Sequence, residues 1–164
     1  MGASGGGFNY QPNQTSSDSQ RKYQSATDEA KRFEAGTGKR NVFVSFHMED
    51  EAQVRLLTHQ ATSGNFGLEF RDYSVKEPFD EKWRANVRER ISQTSVTIVM
   101  IGPDTASRPA VNFEIEESYR QGKKVIGVKI YKDRNDPIPN AMVKHKAPIV
   151  NWVLSDIQKE LDES

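Results

Sequence analysis

The sequence predicts an α/β fold in which five parallel strands form a doubly wound sheet with helices on both faces. From Arg40 onward, short β-rich runs alternate with segments of helical periodicity. Strands separated by helices require crossover connections, which produce a parallel sheet. The run Ser95–Ile101 is apolar almost throughout rather than alternating, as expected of a central strand covered on both faces. The 164 residues suit one domain, and five strands favour a flavodoxin-like arrangement, in which ligands bind beyond the carboxyl ends of the strands.

Each element follows from a run or a periodicity. The five predicted strands are Val42–Phe46, Gly67–Phe70, Ser95–Ile101, Val125–Ile130 and, most weakly, Pro148–Val153. Helical periodicity predicts four helices, at about 49–62, 80–92, 109–121 and 155–162. In the last of these, Ser155 and Gln158 have the spacing of a capping box.

The N-terminal part has a different composition. Residues 1–39 contain no Val, Ile or Leu, so they cannot build an aliphatic core. We expect a flexible extension over 1–39, with a tail at 1–17 and a short helix from about Asp18 to Ala35, ended by Gly36. Two interpretations stay open: this helix docks on the domain or a partner, or it has no role. The domain itself is predicted over 40–164.

Charge and composition exclude several classes of function. The 23 Lys and Arg balance the 23 Asp and Glu, which argues against a nucleic-acid or anionic-membrane partner. The chain has no apolar run long enough for a membrane span and no signal-peptide core, so we expect a cytoplasmic protein. The absence of cysteine excludes disulfides and thiolate catalysis. His59 and His145 lack metal-ligand spacing with each other or with His47, so we expect no metal.

The usual phosphate-binding motifs are also absent. The segment EAGTGKR at 34–40 resembles a phosphate loop, but Phe33 and Arg40 stand where glycine and a hydroxyl residue are needed, and no strand precedes it. No GxGxxG follows the first strand. Glu49 and Asp50, which follow that strand, would repel a flavin phosphate. The third strand ends without the aspartate of a phospho-acceptor receiver.

One carboxylate on the third domain helix is predicted to face inward. Pro109 favours the first turn, and Val111 and Ile115 define the apolar face, with Ser118 between them. Glu114 lies roughly 60° from Val111 on the helical wheel, whereas Glu116 and Glu117 point away. The wheel predicts that Glu114 is half-buried. It leaves open whether Glu114 is paired with Arg108 or a lysine, interacts favourably with the helix dipole near the N-terminus, or has a functional role.

A family resemblance favours the functional role. The segments FVSFH (43–47), FRDYSVKEP (70–78), ISQTSVTIVMIGPDTASR (91–108) and VNFEIEES (111–118) resemble the TIR-like family, which includes the TIR proteins of bacterial Thoeris anti-phage defence. The resemblance covers about Arg40 to Tyr131. In that family the loop is usually followed by Trp-Val-x-x-Glu-Ile, whose glutamate is catalytic in NAD+ cleavage. The resemblance implies that Glu114 is catalytic, with Ala110 in place of the tryptophan.

The implied chemistry can work with one carboxylate. Nicotinamide leaves as a neutral molecule from a cationic pyridinium, so no second acid is needed to protonate it. Glu114 would orient the ribose hydroxyls and stabilise the oxocarbenium-like charge at C1′, a role that works best where water is excluded. An adenine nitrogen or another nucleophile must then capture the ribose if a cyclic product is to form.

Further residues are expected to bind the substrate. The resemblance places part of the NAD+ site at Ser45, Phe46 and His47, with core packing as the alternative for Phe46. In the second loop, Phe79 and Trp83 could stack on a ring, although Trp83 also fits an apolar stripe. Contacts with phosphates are expected from Thr105 and Arg108, with helix capping and a solvated side chain as the respective alternatives.

These observations predict a TIR-like enzyme that cleaves NAD+, releases nicotinamide and makes an ADP-ribose-derived signal. Whether that signal is cyclic stays open. NAD+ is the enzyme's substrate, and no cofactor is expected. A separate effector would read the signal in anti-phage defence, self-association would complete the active site, and a phage-derived trigger would start turnover. Two alternatives are a non-catalytic TIR-type interaction and assembly module, and a sensor that holds NAD+ without cleaving it.

Overall fold

The structure is a computed structural model that describes the backbone of residues 12–64, 68–73 and 80–163, with side chains for 20–36, 38–64 and 80–163. The strands are β1 (Arg40–Ser45), β2 (Leu68–Tyr73), β3 (Val96–Ile101), β4 (Lys124–Lys129) and β5 (Ile149–Asn151). The helices are α1 (Pro12–Thr37), α2 (Glu51–Ser63), α3 (Glu81–Ser92), α4 (Pro109–Arg120), α5 (Asn140–Lys144) and α6 (Leu154–Asp162). Short 3₁₀ turns at Met48–Asp50 and Thr105–Ser107 precede α2 and α4.

The five strands form one parallel sheet in the order β2-β1-β3-β4-β5. This is the flavodoxin-like order, so the predicted fold class is confirmed. All six residues of β3 are buried, as its apolar run predicts for the central strand. Because β1 and β3 are neighbours, the loops that follow them meet at the carboxyl edge of the sheet.

Strand alternation divides the core between the two faces of the sheet. On one face, Ile98 and Met100 pack with α2 and α6 through residues that include Leu57 and Ile157. On the other face, Val99 and Ile101 pack with α4 and α5, while Phe43 of β1 packs with α3. Helices therefore cover both faces, which makes the sheet doubly wound.

The N-terminal helix is longer than the sequence predicts, and it docks on the domain. It begins at Pro12, which is tolerated in a first helical turn, so 12–17 belong to the helix rather than to the tail. The rest of the predicted tail lies outside the described residues. Docking uses polar contacts: Glu34 Oε1 accepts hydrogen bonds from the Asn41 amide at 2.7 Å and from Ser95 Oγ at 2.5 Å. Thr27 Oγ1 donates to the Ser92 carbonyl at 3.1 Å.

Other boundaries differ by a few residues. The capping-box prediction is wrong, because Val153 is the N-cap of α6 and Ser155 already lies inside the helix. α5 was not predicted, since its five residues are too few for a periodicity to show.

No helix in the described part of the chain is both long enough and apolar enough to cross a membrane.

Candidate active site

The candidate site lies at the carboxyl edge of the sheet, where the loops after β1 and β3 meet. Ligands of doubly wound folds bind at this edge, beside the point where the strand order reverses. In this sheet the chain passes from β1 to β2 on one side and then returns to form β3 on the other side of β1. The switch point therefore lies between β1 and β3. The sequence-predicted residues Ser45 to His47, Thr105 and Arg108 all belong to these two loops or to the strand end beside them.

Thr105 fixes the loop after β3. Its hydroxyl accepts a hydrogen bond from the Gly102 amide at 2.8 Å and lies 3.3 Å from the Met100 carbonyl, to which it donates. The residue is fully buried. The hydroxyl therefore acts as donor and as acceptor within the loop, so Thr105 shapes the site by fixing the backbone.

Glu114 is buried more deeply than predicted: its exposed fraction is 0%, where the wheel predicts a half-buried side chain. It lies on the inner face of α4 with Val111, Ile115 and Ser118, which confirms the predicted orientation of the helix. The Ser118 hydroxyl donates to the Glu114 carbonyl at 2.7 Å and lies 2.7 Å from the Thr97 hydroxyl of β3. The helix is thus fastened to the central strand one turn beyond Glu114.

The contact between Ser118 and Thr97 gives the position of Glu114 along the direction of β3. The four-residue step along the helix from Glu114 to Ser118 rises about 6 Å, close to the rise of two strand residues. Because α4 runs back along β3 and Ser118 lies beside Thr97, Glu114 is at about the level of Val99. Val99 in turn pairs with Ser45 of β1. The carboxylate thus lies over the carboxyl-terminal ends of β1 and β3.

Ser45 belongs to the same face of the sheet as Glu114. Strand alternation places Phe43 and Ser45 on the face covered by α3 and α4. Ser45 is fully buried, and no described residue forms a hydrogen bond with its Oγ. A buried hydroxyl is normally satisfied, so this one at the carboxyl edge of the sheet is a candidate to hydrogen-bond to a bound ligand or a water molecule.

Phe46, His47 and Arg108 differ in accessibility. Phe46 is 7% exposed and belongs to the core on the opposite face, so core packing is its structural role. His47 stands at the edge, with Nε2 3.6 Å from Glu49 Oε2. Arg108 is exposed at the N-cap of α4. Its guanidinium forms no ion pair with any described residue, and it can reach an anion at the edge.

Trp83 lies in the core between α3 and the sheet. It is 5% exposed and packs in a cluster with Phe43, Val87 and Ile91. Its ring centroid is 5.5 Å from that of Phe113 on α4, and Ala110 packs against the same cluster. This aromatic pair occupies the neighbourhood in which the family pattern places its tryptophan. Phe79, the other ring predicted in this loop, lies outside the described residues.

Glu117 corrects the helical-wheel prediction, because its side chain is buried rather than turned to solvent. Arg120 donates two hydrogen bonds to its carboxylate, Gln121 Nε2 donates another at 2.8 Å, and Arg88 of α3 lies 3.8 Å away. A wheel ranks positions by their apolar neighbours on one helix, so it misses a carboxylate that is buried by arginines.

Asp50 was missed as a site residue, although it directly precedes α2. It is 5% exposed, and no described residue forms a hydrogen bond with its Oδ2. Burial raises the pKa of Asp50, His47 opposes this rise, and the carboxylates of Glu49, Asp104 and Asp136 add to it. The side chain lies against Gly102, where a Cβ atom would overlap Oδ2. An aspartate at the start of a helix beside a strand end is the signal that could have identified it.

Comparison of the sequence with known proteins identifies a matching family and a relative. The family model described as "Thoeris protein ThsB, TIR-like domain" matches residues 43–135, which is more than half of the chain. A Bacillus cereus (strain MSX-D12) protein named "Putative cyclic ADP-D-ribose synthase ThsB1" is 30% identical over 106 residues. The match covers 58% of this chain and 55% of that protein, so the chain spans little more than half of its relative's length.

Two solved structures are similar at low sequence identity. The TIR domain of the Toll-related receptor TRR-2 from Hydra magnipapillata aligns with a TM-score of 0.49 and 17% identity, covering 74% of this chain and 90% of that one. The Clostridium botulinum CMP N-glycosidase BcmB aligns with a TM-score of 0.46 and 17% identity, covering 76% of this chain and 100% of that one.

Proposed function

This chain belongs to the TIR-like domain family of the Thoeris protein ThsB, and from that premise we propose that it cleaves NAD+ with Glu114 as the catalytic residue. The observation that carries the proposal is the position of Glu114. A fully buried carboxylate on α4 lies over the carboxyl ends of the two strands that flank the switch point of the sheet. A buried carboxylate is costly for a fold, and such groups are concentrated at functional sites, although structural ion pairs such as that of Glu117 also bury them.

The reaction needs one negative charge rather than an acid and base pair. The bond between C1′ of the ribose and the pyridine nitrogen breaks, and its electron pair stays on nicotinamide, which leaves neutral. Positive charge develops at C1′ and on the ring oxygen. Glu114 stabilises that charge, and its burial strengthens the effect because little water screens it.

The neighbouring side chains would hold the substrate. The buried Ser45 hydroxyl is free to hydrogen-bond to a ribose hydroxyl, and the exposed Arg108 guanidinium suits a pyrophosphate oxygen. His47 would contact the substrate from the end of β1, and Phe79 remains a proposed stacking residue. Phe46, Trp83 and Thr105 would act indirectly, because they pack the walls or fix the loop of the site.

We further propose that the product is an ADP-ribose-derived signal, with capture by an adenine nitrogen giving a cyclic form and capture by water a linear one. The Bacillus cereus relative is named "Putative cyclic ADP-D-ribose synthase ThsB1", and that name supports the cyclic form. A separate effector would read the signal, and a phage-derived trigger and self-association would control turnover. Specific activity that stays constant as a monomeric sample is diluted would contradict the role of self-association.

The direct test incubates the purified protein with NAD+ and resolves the products by chromatography and mass spectrometry, with and without lysate from infected cells. The wild-type chain is compared with Glu114→Gln and with Glu116→Gln. The second variant is a matched control, because Glu116 lies two residues further on the same helix with its side chain 52% exposed.

Nicotinamide release by the wild type and by Glu116→Gln, but not by Glu114→Gln, supports the proposal. Equal activity in all three proteins means that Glu114 is not the catalytic residue. No turnover by the wild type under triggering conditions favours the non-catalytic assembly module. Circular dichroism of Glu114→Gln, measured in parallel, separates lost chemistry from lost folding.

A further inference from the structure

A second cluster of polar side chains lies beside the proposed NAD+ site. His47 and Glu49 follow β1, and Asp104 follows β3. One ligand atom from each of these three residues lies within 4.8 Å of the other two. Ligands held about 2.1 Å from one metal ion are about 3 to 4 Å apart, so small side-chain movements would let all three reach a common ion.

Asp50 provides independent evidence for a ligand at this position. Its side chain is 95% buried beside the same edge, and its Oδ2 has no hydrogen-bond donor in the part of the chain that the structure describes. It lies against Gly102, two residues before Asp104. A buried carboxylate oxygen without a donor is costly, and a bound cation or its water removes that cost.

The charges around Asp50 point to the same conclusion. The carboxylates of Glu49, Asp104 and Asp136 act on it electrostatically, and His47 is the group that opposes them. Asp136 has its own partner in Arg134, at 3.5 Å. Among the described groups that act on Asp50, three are carboxylates that add to the effect of burial, and His47 is the one that opposes it.

We propose that His47, Glu49 and Asp104 bind a first-row divalent metal ion, and that Asp50 accepts a hydrogen bond from a water molecule on that ion. An imidazole nitrogen with carboxylate oxygens suits Mn²⁺ or Zn²⁺ better than Mg²⁺ or Ca²⁺, which prefer oxygen ligands alone. Three protein ligands leave open coordination positions for water or for an anion. The sequence spacing does not show this site, because the ligands come from two loops separated by more than fifty residues.

The metal ion would also resolve an electrostatic conflict at this edge. A pyrophosphate that approaches these carboxylates is repelled, whereas an ion held by them offers positive charge and an open position to a phosphate oxygen. This consequence rests on the proposed function. Binding of the metal ion itself does not, because the ligand set is complete without substrate.

The test uses Mn²⁺ as the probe and the full chain, first stripped with a chelator. Electron paramagnetic resonance measures the free ion during a titration in the absence of NAD+. We expect one bound Mn²⁺ per chain, with affinity lowered at least about tenfold in Glu49→Gln/Asp104→Asn and by about tenfold in Asp50→Asn. Asp156→Asn/Glu163→Gln is the matched control, since it removes the same charge from exposed positions on and just after α6.

Two further readouts complete the test. Pulsed resonance of the bound Mn²⁺ should show coupling to a nitrogen nucleus that disappears in His47→Gln, which a diffuse acidic surface would not produce. Failure to bind Mn²⁺, or equal binding by the cluster variant and the control, would overturn the metal site. NAD+ affinity is measured in Glu114→Gln, where turnover does not interfere. Unchanged affinity with and without Mn²⁺ would overturn only the role of the ion in substrate binding.

Discussion

The Glu34 carboxylate of α1 accepts a hydrogen bond from Ser95 Oγ at 2.5 Å, which links the N-terminal helix to the start of the central strand. The same oxygen accepts from the Asn41 amide at 2.7 Å, at the start of β1. One side chain thus joins the extension to two neighbouring strands. The extension is held at the amino edge of the sheet, opposite the candidate active site.

Substituting Glu34 by alanine should weaken the docking of α1 on the domain, while the contacts of Thr27 remain. Hydrogen bonds to a charged group contribute about 1.5 to 3 kcal/mol each. Two of them share this part-buried oxygen and are not additive, so we expect the free energy of unfolding to fall by about 1.5 to 3 kcal/mol. Urea denaturation measures this, and hydrogen exchange should show faster exchange of the α1 amides. Glu29→Ala, on the exposed side of the same helix, is the control. Equal stability of the two variants would contradict the docking role.

Lys123 should make stability depend on pH. Its ammonium donates to Thr27 and to the Ser92 carbonyl, and burial, with a smaller contribution from Lys31, lowers its pKa to about 8 despite the opposing effect of Glu34. The unfolded chain, with a lysine pKa near 10.5, then binds more protons between these two values. The free energy of unfolding should therefore rise as pH increases from about 8 to about 10.5.

The comparison with Lys123→Met isolates this effect, because the other titrating groups cancel in the difference. Urea denaturation at pH values of about 7.5 and 9.5 should show the wild type gaining stability relative to the variant. A difference that stays constant with pH would show that Lys123 titrates alike in both states.

A side chain at Gly102 should destabilise the protein while Asp50 is present. A Cβ atom there would overlap Asp50 Oδ2, so Gly102→Ala must displace a buried carboxylate, at a cost of about 1 to 3 kcal/mol. In an Asp50→Ala background the same substitution should cost less, and the double-mutant cycle measures this coupling. Gly36→Ala is the control, because a Cβ atom there meets nothing within 4 Å. Additive effects of the two substitutions would contradict the proposed contact.

The sequence predicts those parts of the fold that depend on apolar patterns. All five strands overlap predicted runs, and the burial of Glu114 follows from its angle to Val111 on the helical wheel. Features made by polar groups from distant segments were not predictable in this way. α1 docks through the polar contacts of Thr27 and Glu34 as well as through the buried Ala30, and Glu117 is buried by arginines. The polar contacts leave no apolar periodicity.

The candidate site shows the same division. Glu114 is found from one helix and a family motif. The juxtaposition of His47 with Asp104 requires the loops after β1 and β3 to meet, and this depends on the strand order. Spacing along the chain carries no information about that order. Sequence reasoning therefore placed the carboxylate on α4 and identified Glu49 and Asp50 as an acidic pair after β1, but it could not bring Asp104 close to them.

Ser45 offers a test that separates a binding role from a packing role. No described residue hydrogen-bonds to its buried Oγ, so Ser45→Ala removes an unsatisfied hydroxyl and should leave the free energy of unfolding unchanged or raise it by up to about 1 kcal/mol. The same substitution should raise KM for NAD+, because the substrate loses a hydrogen bond.

Ser118→Ala is the opposite case: it leaves the buried Thr97 hydroxyl without its 2.7 Å partner and should cost about 1 to 3 kcal/mol. Thermal unfolding and nicotinamide release measure both effects, and a Ser45→Ala protein that loses stability while keeping its KM would assign Ser45 to packing.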